Sequence, residues 1–481
     1  PYIKKHARHT YFEYKTSGNN MKLLILGAGQ VGSSAADHLS REESNEITVV
    51  DTKPKLLRDL QDRLDIRTIL GNAAHPDVLE KAGAEEADVI IAVTDKDETN
   101  MLACHIAYTL FNTPTKIARI RADQYMRTKK LFSQNGLGLA VDVRISPEKL
   151  VCQHIEQLLH FPGAMQALEF ADGKIRLVGA RADKDGLLVG QKISALKDHI
   201  PNAEGRIAAI YRDGDAIQPE GNTILQENDE VFFLAPRKDI RAIMIEMRHL
   251  EHPVRSVVIA GGGNIGIRLA IALEQTNQVK LIERDPERAK IISEQVSKTI
   301  VLVGDAADEE LLIEENIDNV DVFCSVTNAE EANILSAMLA KRLGAHKVMA
   351  LINRPSYADL AESGSIDVAI SPRQITIGSL LAHVRQGDVV KVHSLRRGAA
   401  EAIEAIAHGD SKTSPVVGRK LEDIMLPDGC NIIGIVRNHK IVVAHHDTII
   451  ETDDHIILFL TDKRKVVEVE TLFQLNPTIS E

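Results

Sequence analysis

From Met21 onward, short apolar runs alternate with longer amphipathic stretches. Leu23–Leu26, Ile47–Val50, Arg67–Leu70, Val89–Val93 and Lys116–Ile120 read as strands, with helical stretches between them, notably Pro54–Leu64 and Thr99–Phe111. Short strands separated by helices predict a parallel sheet covered on both faces. The same pattern returns in Val257–Ala260, Val279–Ile282, Thr299–Val303, Val322–Val326 and Val348–Ile352. Landmarks hold their spacing between the two halves. Gly27 and Gly261 lie 234 residues apart, while Gly71 and Gly304, Thr94 and Thr327, and Asn100 and Asn333 are each separated by 233. Register kept over so many elements marks a tandem duplication.

Each half continues in the same way. Ile145-Ser146-Pro147 and Ile370-Ser371-Pro372 place Ser at an expected N-cap and Pro in the first turn of a helix. In the second copy Ile377, Leu380, Leu381 and Val384 form an apolar stripe, which is expected to face its own domain. Beyond the helices, Ile207–Ala235 and Ile432–Leu460 align without gaps at an offset of 225. Both read as strand, turn, strand, turn and strand: Ala208–Tyr211, a turn at Arg212–Asp215 and Val231–Leu234 in one, and Ile433–Val436, a turn at Arg437–Lys440 and Ile456–Leu460 in the other. A small α+β domain with a mostly antiparallel sheet is predicted to follow each parallel-sheet unit.

The fold class is therefore α/β, with two Rossmann-like domains each followed by a small α+β domain. The expected division is 21–144, a connecting helix at 145–162, 163–250, then 254–369, a second connecting helix at 370–388, and 389–475. Residues 1–20 show no apolar period and no secretory apolar core, and are set aside as a leader or expression remnant.

The glycine loops carry the candidate chemistry. Gly27-Ala28-Gly29-Gln30-Val31-Gly32 follows the first strand, and Gly261-Gly262-Gly263-Asn264-Ile265-Gly266 follows its counterpart. Glycines there allow a tight turn and a close approach of backbone to a pyrophosphate at a helix N-terminus. Asp51 and Glu283 end the second strand of each copy, placed to accept from ribose hydroxyls, which favours NAD(H) or an adenine nucleotide over NADP. Thr94-Asp95 and Thr327-Asn328 fall at the C-terminal ends of the fourth strands, where ligands of open α/β sheets lie. Arg119 and Arg121 share a face of the fifth strand, with Arg354 the nearest counterpart in the second half. Asn72 stands where the second copy has Asp305.

Composition narrows the alternatives. The chain has 481 residues, 44% apolar and 26% charged, with net charge -12. An acidic balance disfavours nucleic acid and direct adhesion to anionic membranes. No apolar run approaches the ~18 residues of a membrane span. Cys104, Cys152, Cys324 and Cys430 lie far apart, as in a reducing cytoplasm, and His445-His446 reads as solvated surface; no metal site is expected. No catalytic motif is found, neither a His or Lys with an orienting carboxylate, nor a nucleophile elbow, nor a Walker loop. A binding module is favoured, with an NAD-dependent oxidoreductase of duplicated Rossmann domain as the alternative.

The alternation of an NAD-type unit with a small α+β domain, the opening Met21-Lys22-Leu23-Leu24-Ile25-Leu26-Gly27, and the strings Asp97-Glu98-Thr99-Asn100-Met101, Phe111-Asn112-Thr113-Pro114 and Ala118-Arg119-Ile120-Arg121 resemble the RCK (KTN) family. That family comprises cytoplasmic regulators of potassium channels and transporters. The resemblance implies a nucleotide-sensing gating subunit rather than an enzyme. It would be peripheral on the inner face of the cell membrane through a Trk-type (TrkH-like) pore subunit. RCK domains form rings of eight, so two per chain imply a homotetramer. The resemblance also implies NAD(H), with ATP or ADP at the same sites. Carried over by position, the first site is Gly27, Gly29, Gln30, Val31, Gly32, Asp51, Thr94, Asp95 and Arg119. The second is Gly261, Gly263, Asn264, Ile265, Gly266, Glu283, Thr327 and Asn328.

Overall fold

A computed structural model of the chain describes residues 21–41, 45–132, 138–248, 253–362, 365–384, 388–395, 400–438, 440–442, 446–462 and 465–475. The leader and His445 lie outside the described residues.

Six parallel strands make the first sheet: β1 (Met21–Leu26), β2 (Asn45–Asp51), β3 (Arg67–Leu70), β4 (Val89–Ala92), β5 (Thr115–Arg119) and β6 (Val143–Ile145), in the order 3-2-1-4-5-6. β4 is apolar throughout, as is β1 apart from Lys22, and both are almost wholly buried because helices cover both faces of the sheet. These helices include α1 (Gln30–Leu39), α2 (Pro54–Gln61), α3 (Pro76–Lys81) and α4 (Asp97–Phe111), with α5 (Asp123–Arg127) after β5. The strand order reverses between β1 and β4, so a crevice opens at their C-terminal ends.

The second half repeats this arrangement. Its sheet contains β12 (Ser256–Ala260), β13 (Gln278–Glu283), β14 (Ile300–Val303), β15 (Val322–Ser325), β16 (Lys347–Leu351) and β17 (Val368–Ile370), ordered 14-13-12-15-16-17. Around it are α9 (Asn264–Leu273), α10 (Pro286–Ser293), α11 (Glu309–Glu314), α12 (Glu330–Arg342) and α13 (Pro355–Glu362). The sixth strands, β6 and β17, extend beyond the five predicted per half. At three residues each they are too short for an apolar run to reveal them.

The small domains are five-stranded and antiparallel. One is built from β7 (Ala164–Phe170), β8 (Ile175–Arg181), β9 (Arg206–Arg212), β10 (Asp215–Ile217) and β11 (Glu230–Pro236), with the short α7 (Leu196–His199) between β8 and β9 and α8 (Ile240–Met247) closing it. The other has β18 (Val389–Leu395), β19 (Ala400–Ile406), β20 (Cys430–Arg437), β21 (Lys440–Val442) and β22 (His455–Leu460). The strand, turn, strand, turn, strand readings correspond to β9, β10 and β11 and to β20, β21 and β22. The hairpins β7–β8 and β18–β19 were not anticipated, because Glu169, Arg176, Lys391, His393 and Glu404 interrupt their apolar pattern and find polar partners only in the folded chain.

The connecting helices are α6 (Pro147–His160) and α14 (Pro372–Val384). Ser146 occupies the N-cap position of α6 but makes no cap bond, and its buried hydroxyl has no partner there. Ser371 Oγ does accept from Gln374 N, at 3.4 Å. The apolar stripe of α14 departs from expectation. Ile377, Leu380, Leu381 and Val384 share one core with Leu23, Ile25, Ala35, Ala36 and Leu39 of the first Rossmann unit, besides β18 of the adjoining small domain. Reciprocally, α6 lies on α9, and Val151, Ile155 and Leu158 share a core with Ile267, Leu269 and Ala270. Each connecting helix thus covers the other half. Helical periodicity says which side of a helix is apolar, and nothing about which domain meets it.

The two small domains meet through Phe170, Phe232 and Phe459, with Phe232 and Phe459 ring centroids 5.8 Å apart. At the rim of this seam Glu404 accepts from Ala171 N at 3.0 Å and from His455 Nδ1 at 2.6 Å. All four cysteines are buried, and burial pushes each thiol up to about 12. They act as small core residues.

Candidate nucleotide sites

Gly27 turns with φ +107, and a Cβ there would lie 3.0 Å from the Thr94 backbone. Gly32, one turn into α1, could not carry a side chain either: its Cβ would fall 1.8 Å from the Gly27 carbonyl oxygen. It serves helix–strand closeness and does not line the cavity. Gly29 caps α1 with nothing within 4 Å of a built Cβ, so open space rather than packing accounts for its exposure to the crevice. No side chain caps α1 and no acid sits in its first turn, so the amide groups there stay available to an anion.

The Asp51 carboxylate fixes this loop. Its Oδ2 accepts from Ala28 N at 2.7 Å and its Oδ1 from Lys53 N at 2.8 Å. Each oxygen retains a second lone pair for a ligand hydroxyl. On the other side Asn100, fully buried, bridges two strand ends. It accepts from Thr94 N and Thr94 Oγ1 at 2.9 and 2.6 Å, and donates to Arg119 O at 2.9 Å. Asn100 was visible in the sequence only as a repeated landmark; its role as a brace emerges from the fold.

These groups surround a cavity of about 530 Å³. Gly27, Gly29, Gln30, Val31, Asp51, Thr94, Asp95 and Arg119 all line it, joined by Lys53, Lys96 and Arg121. Arg119 and Arg121 are held by one carboxylate, Glu148 of α6, at 3.8 and 3.7 Å. Burial, then the neighbouring Arg121 charge, holds the Arg119 guanidinium below its ordinary range, with Glu148 opposing. The Nε atoms of both arginines are buried without a hydrogen-bond partner. Two crowded guanidinium groups sharing one acid, beside an uncapped helix start, fit a phosphate-bearing ligand.

The second glycine loop has the same backbone and different chemistry. Gly261 has φ +110, and a Cβ on Gly266 would lie 1.9 Å from Gly261 O. Glu283 Oε2 accepts from Gly262 N at 2.8 Å, while Asn333 repeats the brace, accepting from Thr327 N and donating to Leu351 O. That last bond corrects the expected correspondence. Leu351, not Arg354, is the counterpart of Arg119, and Arg354 instead meets Glu331 at 3.2 Å and Tyr357 Oη at 2.8 Å on an exposed surface. By the same register Asn353 replaces Arg121, and in the loops Asp285 replaces Lys53 and Ala329 replaces Lys96. Arg288, where the first half has Leu56, donates from Nε to Gly262 O at 3.2 Å and covers the loop. Gly263, Asn264, Ile265, Thr327 and Asn328 keep the expected places around the loop and the end of β15.

Among the described residues no helix is long and apolar enough to cross a membrane. Family comparison gives the TrkA-N domain at residues 23–147 and 257–372, and the TrkA-C domain at 177–245 and 411–467. The chain is 55% identical over 458 residues to the Trk system potassium uptake protein TrkA of Halomonas elongata, covering 95% of this chain and 100% of that one. It is 54% identical to that of Vibrio alginolyticus, covering 95% and 99%, and 48% identical to that of Haemophilus influenzae, covering 94% and 99%. Among solved structures it resembles the GsuK RCK domain, with a TM-score of 0.59 at 17% identity over 94% of this chain and 95% of that one. It likewise resembles the GsuK channel bound to NAD, with a TM-score of 0.59 at 16% identity over 94% and 79%. The tandem domains and whole-length identity place this chain in the TrkA family of Trk-system potassium uptake proteins.

Proposed function

We propose that this chain is a nucleotide-sensing regulatory subunit, not an enzyme, which controls potassium flux through a Trk-type (TrkH-like) membrane pore from the cytoplasmic face. The observation that carries the reading is the 530 Å³ cavity, where a glycine loop and an uncapped helix face Asp51, Arg119 and Arg121. The Asp51 carboxylate suits ribose hydroxyls, and the arginine pair suits phosphates of NAD(H), ATP or ADP. The site residues set out from sequence are assigned to this role, with Gly32 as a backbone determinant and Lys53, Lys96 and Arg121 added. The second loop, with Leu351 and Asn353 in place of two arginines, is assigned the weaker affinity for polyphosphates. Assembly as a homotetramer is supported by equivalent exposed apolar residues on α4 and α12, Leu102 at 46% and Leu335 at 61% exposure. The domain limits given above are retained for this reading.

A nucleotide regulates the pore only if it binds one arrangement of the assembly better than another. The test is potassium flux in vesicles holding both proteins, with NAD+, NADH, ATP and ADP added in turn, alongside calorimetry of each. Flux that changes with nucleotide, and is insensitive in an Arg119→Gln variant, supports the reading. Flux indifferent to every nucleotide that calorimetry detects overturns it.

A further inference from the structure

Both halves leave buried polar atoms without a partner at the same two places. In the first half these are Nε of Arg121, just past β5, and Oε2 of Glu148, in the first turn of α6. In the second they are Oδ1 of Asn353, just past β16, and Nε of Arg373, in the first turn of α14. The two places correspond in the fold as well as in sequence. Arg119 is registered with Ile145 and Leu351 with Ile370, and each sixth strand leads through Ser-Pro into its connecting helix. From this position Glu148 reaches Arg119 and Arg121 at 3.8 and 3.7 Å, beside the nucleotide cavity. The second half thus carries its cation on the connecting helix instead of the fifth strand. Arg373 makes no ion pair among the described residues.

The second loop keeps what holds a nucleoside and its first phosphate. α9 starts after Gly263 with no side-chain cap and no acid in its first turn, so its amide groups are open to an anion. On the β13 side, Glu283 Oε2 and Oε1 accept from Gly262 N and Asp285 N at 2.8 and 2.9 Å, and each keeps a lone pair for a ribose hydroxyl. Arg288, bonded to Gly262 O, offers a planar face on which a base can stack. On the β16 side donors are fewer: Leu351 and Ala329 stand for Arg119 and Lys96. Arg373, in place of Glu148, is the replacement that adds a cation there.

On the reading of the second loop as a nucleotide site, we propose that Arg373 holds the phosphate there and that this loop selects an adenine nucleoside monophosphate over the di- and triphosphate. One guanidinium fork and the α9 amides complete the acceptors of a single phosphate group. A second or third phosphate would lie over Leu351 and Ala329, losing water without gaining a donor. Asp285 and Asp305, where the first half has Lys53 and Asn72, repel the added charge. The first loop, with Arg119, Arg121 and Lys96, has donors for a longer phosphate chain.

The test uses the full chain carrying Arg119→Gln, which weakens the first loop, and AMP, ADP and ATP as probes. Calorimetry should show saturable binding of AMP, roughly tenfold tighter than ADP. Adding Arg373→Gln should weaken AMP by roughly tenfold with an unchanged circular dichroism spectrum, and Glu283→Gln should weaken it likewise. In the chain with an intact Arg119, Arg373→Gln should leave ADP affinity at the first loop unchanged. AMP binding indifferent to both Arg373→Gln and Glu283→Gln overturns the proposal. So does ADP binding that depends on Arg373 and matches AMP in strength. Absence of AMP binding in the Arg119→Gln chain, while the wild-type chain still binds ADP, overturns this assignment alone; a wild-type chain that binds no nucleotide overturns the sensor reading with it.

Discussion

Asp51 and the loop glycines separate residues that hold the site from residues that face a ligand. Asp51→Ala removes the acceptor of Ala28 N, a buried donor, and is expected to cost about 1–3 kcal/mol of stability. Asp51→Asn keeps an acceptor and removes the charge, so it should weaken nucleotide binding roughly tenfold with less effect on stability. Denaturant unfolding and calorimetry on the same two variants check this split. Equal loss of affinity and stability in both would show that the carboxylate only braces the loop. Gly29→Ala meets open space and should leave the unfolding midpoint unchanged while reducing affinity. Gly32→Ala must displace the Gly27 carbonyl, and its midpoint should fall, by the thermal shift of the apo chain. The loops, Asp51 and Thr94 were legible in the sequence because each occupies a fixed place after a strand. Lys53 and Lys96 were not, since an exposed lysine is ordinary surface until a cavity gives it a direction.

At the scale of elements, the parallel strands were legible from short apolar runs, and the exchange of α6 and α14 was not. A stripe such as Ile377, Leu380, Leu381 and Val384 fixes a buried side and leaves the partner open, and only the folded chain assigns it to α1. This matters for signalling because α1 starts at the first glycine loop and α9 at the second. Each loop-bearing helix therefore rests on a connecting helix from the other half, and α6 also supplies Glu148 to the two site arginines. Truncation of Leu381, 1% exposed, to Ala should cost roughly 2–5 kcal/mol by opening a cavity between the halves. Urea unfolding measures it. A loss under 1 kcal/mol would mean that the inter-half core readily collapses around the gap.

For the whole molecule, the seam between small domains carries a pH dependence. His154 on α6 and His393 on β18 are both pushed down to about 4; burial is the main cause, with His393 adding repulsion to His154 and a bond to Glu169 O partly opposing the shift of His393. Lys391, Glu404, Glu169, His455 and Arg176, the partner of Glu169, are charged or titratable groups described around this seam. A histidine whose folded value lies below 6.5 takes up its proton more readily when unfolded. Stability should therefore be highest above pH 6.5 and fall as the pH drops toward 4. Thermal midpoints across that range should show the decline, and His393→Gln should flatten it. A variant with the wild-type slope would place the acid sensitivity elsewhere.

Covalent fusion of the two halves has a consequence for how their sites can diverge. Separate copies exchanging helices would also pair like with like, and a half lacking counterparts of Arg119 and Lys53 would meet its own kind. Within one chain the other half is present at high effective concentration, so unlike halves meet in fixed one-to-one stoichiometry. Replacement of Arg119 by Leu351 and Lys53 by Asp285 in the second copy can then persist beside an intact first copy. The duplication thus permits division of labour: one half free to specialise its chemistry, the other kept as its obligatory structural complement.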